Sequence, residues 1–386
     1  MGRVEMDLDL SDDQELFLDT TRKFLAANWP TAAVRGLIGD PDGFDRTVWS
    51  RAVDLGWTSF LVPEAHGGGS LSGEEVSDMA IVAEEVGRCA FAGPVLSSAT
   101  VAYALGHWAS DEIASAHLAN LAAGTEIAAW AVPEAGDLWG RDARGVTAAP
   151  EGDYYVITGS KIPVQDAHVA DQILVSALAP QGLTLLLVPA DLPGILIRPL
   201  EGLDVARRFS SVAFQGARVP AGCLVGSPGA AAPAIERQLA LAVALQCAET
   251  VGATDRLYEM TLQYVKDRKA FGRPIGSYQA LKHRLVDMLL WLESAKAVTV
   301  AAIKAVQHDV AASEAASLAK AYVGDRCPVI GRECLQMHGG IGYTWEHDLH
   351  LFMRRIEANA SLYGNPDYHR DRLAPGVGFK ALEEQN

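Results

Sequence analysis

Cysteine is scarce in this sequence, and its positions follow no known site spacing. Five cysteines are scattered among 386 residues, an odd number without a CxxC pair. This usage argues against a disulfide framework or a zinc site, and it is typical of a reducing compartment. The first residues are acidic and polar, so no signal peptide is indicated. The sequence therefore predicts a cytoplasmic protein that holds no metal.

Long apolar runs and basic stretches are also missing. No run of about 18 uninterrupted apolar residues occurs, which argues against a membrane span. The chain has 32 lysines and arginines against 48 aspartates and glutamates, giving a formal net charge of −16. Such a chain repels polyanions overall, and it has no basic stripe with interleaved aromatics, so nucleic-acid binding is not expected.

Two widespread site signatures are absent as well. No GxGxxG follows a strand pattern, so a Rossmann site is not indicated. The turn His66-Gly67-Gly68-Gly69 is similar to the oxyanion turn of esterases, but no GxSxG nucleophile elbow follows it. We therefore attribute this turn to the backbone freedom of glycine.

The chain changes character twice along its length. A helical period runs from about residue 11 to 123, short β-rich runs follow, and the helical period returns near residue 234. A chain of this length is expected to form two or three domains. We predict an α+β protein with a helical domain over 1–123, a β domain over 124–226 and a helical bundle over 227–386.

The segment from Asp267 to Gln279 joins two predicted helices. A helix ends in a cluster of three cations, and a Gly/Pro turn leads into the next helix. One interpretation is a charged helix end, because cations stabilise the helix C-terminus. The other is a pyrophosphate clamp in which Arg268 is the forked donor.

A second segment, 336–344, carries three glycines within four positions. Glycines let backbone N–H groups approach an anion or a ring closely. Taken alone, such a segment is more often a loop that ends a helix.

Taken together, the two segments resemble a known signature pair. RKAFGRPIGSYQ, followed some way downstream by QMHGGIGYT, is similar to the flavin-binding segments of the acyl-CoA dehydrogenases. The motifs PEAHGGG, AVPEAGD and GSK occur in the order that this family has them. The resemblance implies a helical N-terminal domain, a middle β-barrel and a C-terminal four-helix bundle.

The resemblance also implies a cofactor, FAD, bound across a subunit interface. Arg268, Phe271 and Gln279 would contact FAD, with Arg268 on its pyrophosphate. Gln336, Gly339 and Gly340 would contact the FAD of a neighbouring subunit. The implied partners are an acyl-CoA substrate, an electron-transfer flavoprotein or similar acceptor, and further subunits of a homo- or hetero-oligomer, most simply a tetramer.

The resemblance fails at the catalytic base. The family removes the α-proton with a glutamate at one of two positions, which here hold Tyr363 and Ala242. Glu249 and Glu236 are the nearby acids, and either one needs a shift in register to serve as the base.

Two more changes fall where the family faces the flavin. Pro163 and Gln165 replace the usual aromatic and hydroxyl residues, and Asp137 is followed by Leu138-Trp139-Gly140 instead of small polar residues. We therefore predict the base-lacking subunit of a heteromeric acyl-CoA dehydrogenase, similar to those that act on steroid side chains. The alternatives are a self-sufficient homo-oligomer with a displaced carboxylate and a purely structural subunit.

Overall fold

The computed structural model describes residues 10–136, 139–140 and 144–378. The α-helices within them are Asp12–Asn28 (α1), Thr31–Gly36 (α2), Arg46–Asp54 (α3), Glu75–Arg88 (α4), Val95–Trp108 (α5), Asp111–Ala122 (α6), Ala232–Asp267 (α7), Gln279–Gln307 (α8), Ala312–His338 (α9), Leu349–Ser361 (α10) and Pro366–Leu373 (α11). The strands are Ala128–Ala131 (β1), Thr147–Glu151 (β2), Tyr154–Gln165 (β3), Gln172–Ala179 (β4), Gly182–Pro189 (β5), Ile195–Leu200 (β6), Phe209–Pro220 (β7), Leu224–Val225 (β8), Lys269–Ala270 (β9) and Arg273–Pro274 (β10).

The order of elements confirms the predicted sequence of helices, then strands, then helices. The described chain forms two compact units, one made of 11–82 and 92–242, the other of 10, 83–91 and 243–378. The division falls within α4 and α7. The bounds of the three domains predicted above stay a prediction.

In the first unit, α1 begins with a reciprocal cap. The Gln14 N–H donates to the Ser11 hydroxyl at 3.3 Å, and the Ser11 N–H donates to the Gln14 side chain at 3.1 Å. This capping box satisfies two backbone donors that the helix itself cannot satisfy. The Gln14 amide also donates to the buried Asp78 carboxylate at 2.8 Å, which ties α1 to α4.

The β domain is an open sheet, so the predicted barrel is wrong. Its strands follow the order β6-β7-β3-β2-β4-β5-β8, with β1 paired to β4. Within the described residues the end strands β6 and β8 do not pair with each other, and β8 has only two residues. The sequence period shows that strands form, but closure depends on how the first and last strands meet.

One face of this sheet forms the core of the first unit. Along β7, buried and partly exposed residues alternate from Phe209 to Phe214, as expected for a strand with one covered face. Val212 and Phe214 join Ile157 of β3 and Val175 of β4 in the buried cluster.

The helices of the second unit pack through faces with helical spacing. On α8, Leu285, Met288, Leu292 and Ala295 are buried, at three- and four-residue steps. Among the described helices, none combines the length and apolar character that crossing a bilayer requires.

Two glycines let α4 and α7 cross in direct backbone contact. A Cβ added to Gly87 would lie 1.8 Å from the Glu249 carbonyl oxygen, and one added to Gly252 would lie 1.9 Å from the Glu84 carbonyl oxygen. A side chain at either position would therefore force the helices apart.

We expect Gly252→Ala to destabilise the protein by on the order of 3 kcal/mol, because overpacking must move backbone rather than a side chain. The lowered urea midpoint, followed by far-ultraviolet circular dichroism, would measure the loss. Gly36→Ala is the matched control, since no atom lies within 4 Å of its added Cβ. Equal midpoints for the two variants would contradict the close crossing.

Candidate active site

The first motif segment forms a hairpin and a helix start in the second unit. Arg268 follows the last residue of α7, Phe271 lies at the tip of the β9–β10 hairpin, and Gln279 begins α8. All three are exposed, and Phe271 is 96% exposed with a positive φ of 53°. A bulky residue rarely adopts this conformation, so the hairpin presents the ring outward at a cost in strain.

The second motif segment lies at the end of α9. Gln336 is in its last turn, and Gly339 ends the helix with a φ of 62°. Gln336, Gly339 and Gly340 are exposed. No atom lies within 4 Å of a Cβ added to Gly339 or Gly340, so the space beside this backbone is open.

A ring stack joins the two segments. Tyr264 of α7 stacks on His338 of α9, with ring centroids 4.4 Å apart and planes 21° from parallel. The Tyr264 hydroxyl donates to the His338 carbonyl at 3.4 Å. The ends of α7 and α9 are therefore neighbours, and the structure brings the two motif segments together.

His338 itself has a packing role in this arrangement. Its Nδ1 lies 2.8 Å from the Cys334 carbonyl oxygen, and its ring meets His347 edge-on at 4.9 Å. Burial lowers the pKa of His338 below its ordinary value. A neutral ring bonded to its own helix is typical of a structural histidine.

The local charge suits an anionic cofactor. Arg268 forms no ion pair with any residue in the described part of the chain, and Lys269 and Arg273 are exposed beside it. The Arg273 guanidinium lies over the Tyr278 ring, 4.0 Å from its centroid. An unpaired guanidinium, an exposed aromatic ring and an open glycine backbone fit the pyrophosphate and ring system of FAD.

Neither of the two base positions holds a carboxylate. Tyr363 follows α10 with a φ of 61° and is half-buried, and its carbonyl oxygen accepts a hydrogen bond from His369. Ala242 is buried within α7. A methyl group at one position and a phenol at the other provide no group that is basic near neutral pH.

Glu249 is bound on both sides in the core of the second unit. Its Oε1 accepts from Arg355 at 2.8 Å, and its Oε2 accepts from Asn359 at 3.2 Å. Glu249 and Arg355 are both fully buried, and Arg355 also donates to the Phe91 carbonyl at 3.1 Å. This arrangement is typical of a buried structural ion pair.

Glu236 is near the start of α7 in the first unit. It is half-buried, and its Oε1 lies 2.8 Å from the position that a Cβ on Gly140 would occupy. Gly140, with a φ of 59°, therefore leaves the space that this carboxylate uses.

A buried ion pair that sequence reasoning missed joins two β-domain motifs. The Lys161 ammonium is fully buried and donates to Glu134 at 2.6 Å, Ser176 at 3.0 Å and the Val132 carbonyl at 3.1 Å. Glu134 also accepts from the Gly145 N–H. Burial lowers the pKa of Lys161 to about 8. The pair fixes Glu134 of the first motif against Lys161 of the second.

The residues after Lys161 are held by their neighbours. The Gln165 amide donates to Asp166 at 3.1 Å, and Ser97 donates to the same carboxylate oxygen at 2.7 Å. Burial raises the pKa of Asp166, whose φ is 58°. Pro163 precedes this cluster in β3 and is half-buried. Asp137 and Leu138 lie outside the described residues.

Acid is expected to destabilise the second unit through His369. Burial, helped by the nearby Lys320 charge, lowers the pKa of His369 to about 3. The unfolded state therefore binds more protons than the folded state between about pH 6.5 and about pH 3. Lowering the pH through this range lowers the free energy of unfolding by up to about 1.4 kcal/mol per pH unit.

His369→Gln should flatten this dependence, because a glutamine amide does not titrate. The measurement is the urea midpoint at a series of pH values between neutral and acidic. His283→Gln, an exposed site on α8, is the control and should keep the parent slope. A parent slope in His369→Gln would show that other groups cause the acid sensitivity.

Among the described residues, no group of three His, Cys, Asp or Glu side chains is placed to hold a metal ion.

Comparison with known proteins identifies one family at both ends of the chain. The family profile described as acyl-CoA dehydrogenase, C-terminal domain, matches residues 232–378, and the N-terminal domain profile matches residues 11–125.

Individual relatives agree over nearly the whole chain. Acyl-CoA dehydrogenase IpdE2 of Mycolicibacterium smegmatis is 31% identical over 95% of this chain and 100% of its own length. IpdE2 of Mycobacterium tuberculosis is 30% identical over 92% and 94%. A chain of the ChsE4-ChsE5 complex of Mycobacterium tuberculosis superposes with a TM-score of 0.88 at 25% identity, covering 96% of this chain and 99% of that chain.

Proposed function

Because this chain belongs to the acyl-CoA dehydrogenase family, we propose that it is the base-lacking subunit of a heteromeric enzyme of that family. Family members are FAD-dependent oxidoreductases that act on CH–CH bonds, in fatty acid or steroid degradation. The reaction is the α,β-dehydrogenation of an acyl-CoA thioester. The ChsE4-ChsE5 neighbour, a complex of two differently named chains, is a precedent for heteromeric assembly.

One observation carries the proposal: both base positions lack a carboxylate, and the buried candidate Glu249 accepts hydrogen bonds from Arg355 and Asn359. A general base must reach its proton within hydrogen-bond distance. A carboxylate that is fully buried and bonded at both oxygens is poorly placed to do so. We therefore assign proton abstraction to a base on another subunit.

The two motif segments of this chain keep the residues that would contact FAD, whereas Pro163 and Gln165 depart from the family pattern. Arg268 would neutralise the FAD pyrophosphate, with Phe271 and Gln279 beside it. Gln336, Gly339 and Gly340 would meet the cofactor of a neighbouring subunit. FAD bound at these residues would supply the acceptor for the hydride that leaves the β-carbon. The retained contacts and the missing base together describe a chain that completes a partner's site.

Exposed apolar residues support the assembly into an oligomer. On α8, Val286 is exposed one turn before the exposed Leu289 and Leu290, and Tyr343 and Trp345 are exposed after α9. Large exposed apolar surfaces usually mark an interface. We propose a tetramer that uses an electron-transfer flavoprotein or similar acceptor and works in the cytoplasm.

The test is the visible spectrum of the purified chain, with and without a second acyl-CoA dehydrogenase chain co-expressed from the same source. We expect little flavin in the chain alone and about one flavin per heterodimer after co-expression. Stoichiometric flavin in the single chain, bleached by added acyl-CoA, would instead support the self-sufficient homo-oligomer. No flavin in either preparation would support a purely structural subunit.

A further inference from the structure

The turn that carries Tyr363 is held in an unfavourable conformation. Tyr363 has a φ of 61°, which a bulky residue rarely adopts. Gly364 follows with a φ of 100°, and a Cβ there would lie 2.3 Å from Cδ1 of Tyr368. Such a turn persists only where its surroundings fix it.

Lys320 of α9 fixes the start of the turn, where it leaves the C-terminus of α10. Its ammonium group is buried and donates to the Leu362 carbonyl at 2.8 Å, to the Asn359 carbonyl and to the Gln246 side chain. The last carbonyls of a helix have no partner within the helix, and a cation there also complements the helix dipole. The buried ammonium group of Lys320 thus caps the C-terminus of α10.

His369 of α11 fixes the other side. Its Nε2 lies 2.9 Å from the Tyr363 carbonyl oxygen, and its Nδ1 lies 3.1 Å from the Ser317 hydroxyl. These partners are satisfied when Nε2–H donates to the carbonyl and Nδ1 accepts from the hydroxyl. Because the ring is buried and neutral, this tautomer is held at physiological pH.

We propose that Lys320 and His369 are positioning residues for residue 363. Lys320 holds the Leu362 carbonyl, in the peptide plane before the Tyr363 α-carbon, and His369 holds the Tyr363 carbonyl, in the plane after it. The side chain at 363 therefore leaves the backbone in one direction. The inference rests on the proposed function, in which 363 is a base position without its base. This chain has no carboxylate at 363, yet the backbone at that position is held on both sides.

The test is fluorine NMR of the full chain labelled with 3-fluorotyrosine, with the Tyr363 resonance assigned by Tyr363→Phe. We expect a single sharp Tyr363 resonance in the parent protein. Lys320→Met and His369→Leu should shift or split it, whereas His369→Gln, whose amide can still donate to the carbonyl, should restore most of the parent position. Lys282→Met and His283→Leu, exposed on α8, are the matched controls.

Should Lys320→Met fail to fold, Ser317→Ala provides a milder change, because it removes only the hydroxyl that orients His369. A Tyr363 resonance that stays in place in both the His369→Leu and Ser317→Ala variants would overturn the proposal. Movement limited to Tyr363, with the other tyrosine resonances unchanged, would support it.

This readout is independent of catalysis, so the two proposals can fail separately. The variants could shift the Tyr363 resonance while the parent chain binds flavin and dehydrogenates acyl-CoA alone. That result would support the positioning and refute the base-lacking role. If the resonance does not move in the variants and the parent chain needs its partner to hold flavin, the positioning is refuted and the base-lacking role is supported.

Discussion

Replacing Tyr363 with glutamate is expected to raise the rate of α-proton exchange in a bound acyl-CoA by about 10²–10⁴-fold, the usual contribution of a placed general base. Lys320 and His369 bond the backbone carbonyls at Leu362 and Tyr363, so the backbone that carries the new carboxylate is already ordered. Exchange is measured as deuterium uptake from D2O by mass spectrometry, with FAD supplied. The rate should rise with pH through the pKa of the carboxyl group, which is the signature of a base.

Tyr363→Gln is the matched control, because it has the shape of the glutamate without its charge. It should stay at the level of the parent protein. If the parent chain already exchanges as fast as Tyr363→Glu, a base exists elsewhere. Glu249→Gln and Glu236→Gln would then identify it by the loss of exchange.

Arg355→Met is expected to destabilise the protein by about 3–5 kcal/mol, because it leaves the Glu249 carboxylate buried without a counter-charge. Both partners are fully buried and 2.8 Å apart. The loss would be seen as a lower urea midpoint. Arg355→Met combined with Glu249→Leu should recover most of it, since replacing both charges removes the unpaired group.

Arg332→Met tests the same change at the surface. Arg332 lies 3.1 Å from Glu357; the Arg332 side chain is exposed and that of Glu357 is partly exposed. An exposed pair contributes about 0–1 kcal/mol, so this variant should unfold close to the parent midpoint. Similar losses at Arg332 and Arg355 would contradict the structural role assigned to the Glu249 pair.

Much of the architecture was predictable from the sequence. Helical and strand periods gave the order of elements, and the cation cluster and the glycine cluster each marked the end of a long helix. Those features are local, because a few neighbouring residues decide them. The contact residues for FAD stay a prediction that the exposed Arg268 and Phe271 support.

The features that escaped prediction are long-range. Arg355 and Glu249 are far apart in the chain, and nothing in either local sequence shows that they pair. Lys320 stands between alanines on a helix, where a lysine is ordinarily expected to be exposed. Only the residues that surround it, from α7 and α10, make a buried ammonium group acceptable.

An open sheet has two edge strands, and β6 is one of them. Unpaired backbone groups along such an edge invite the addition of a strand from another molecule. Here the strand is only six residues long, Pro199 withholds a donor, and Arg198 is exposed on it. These are the devices by which natural sheets avoid aggregation through an edge. The sheet can therefore stay open without recruiting other chains along β6.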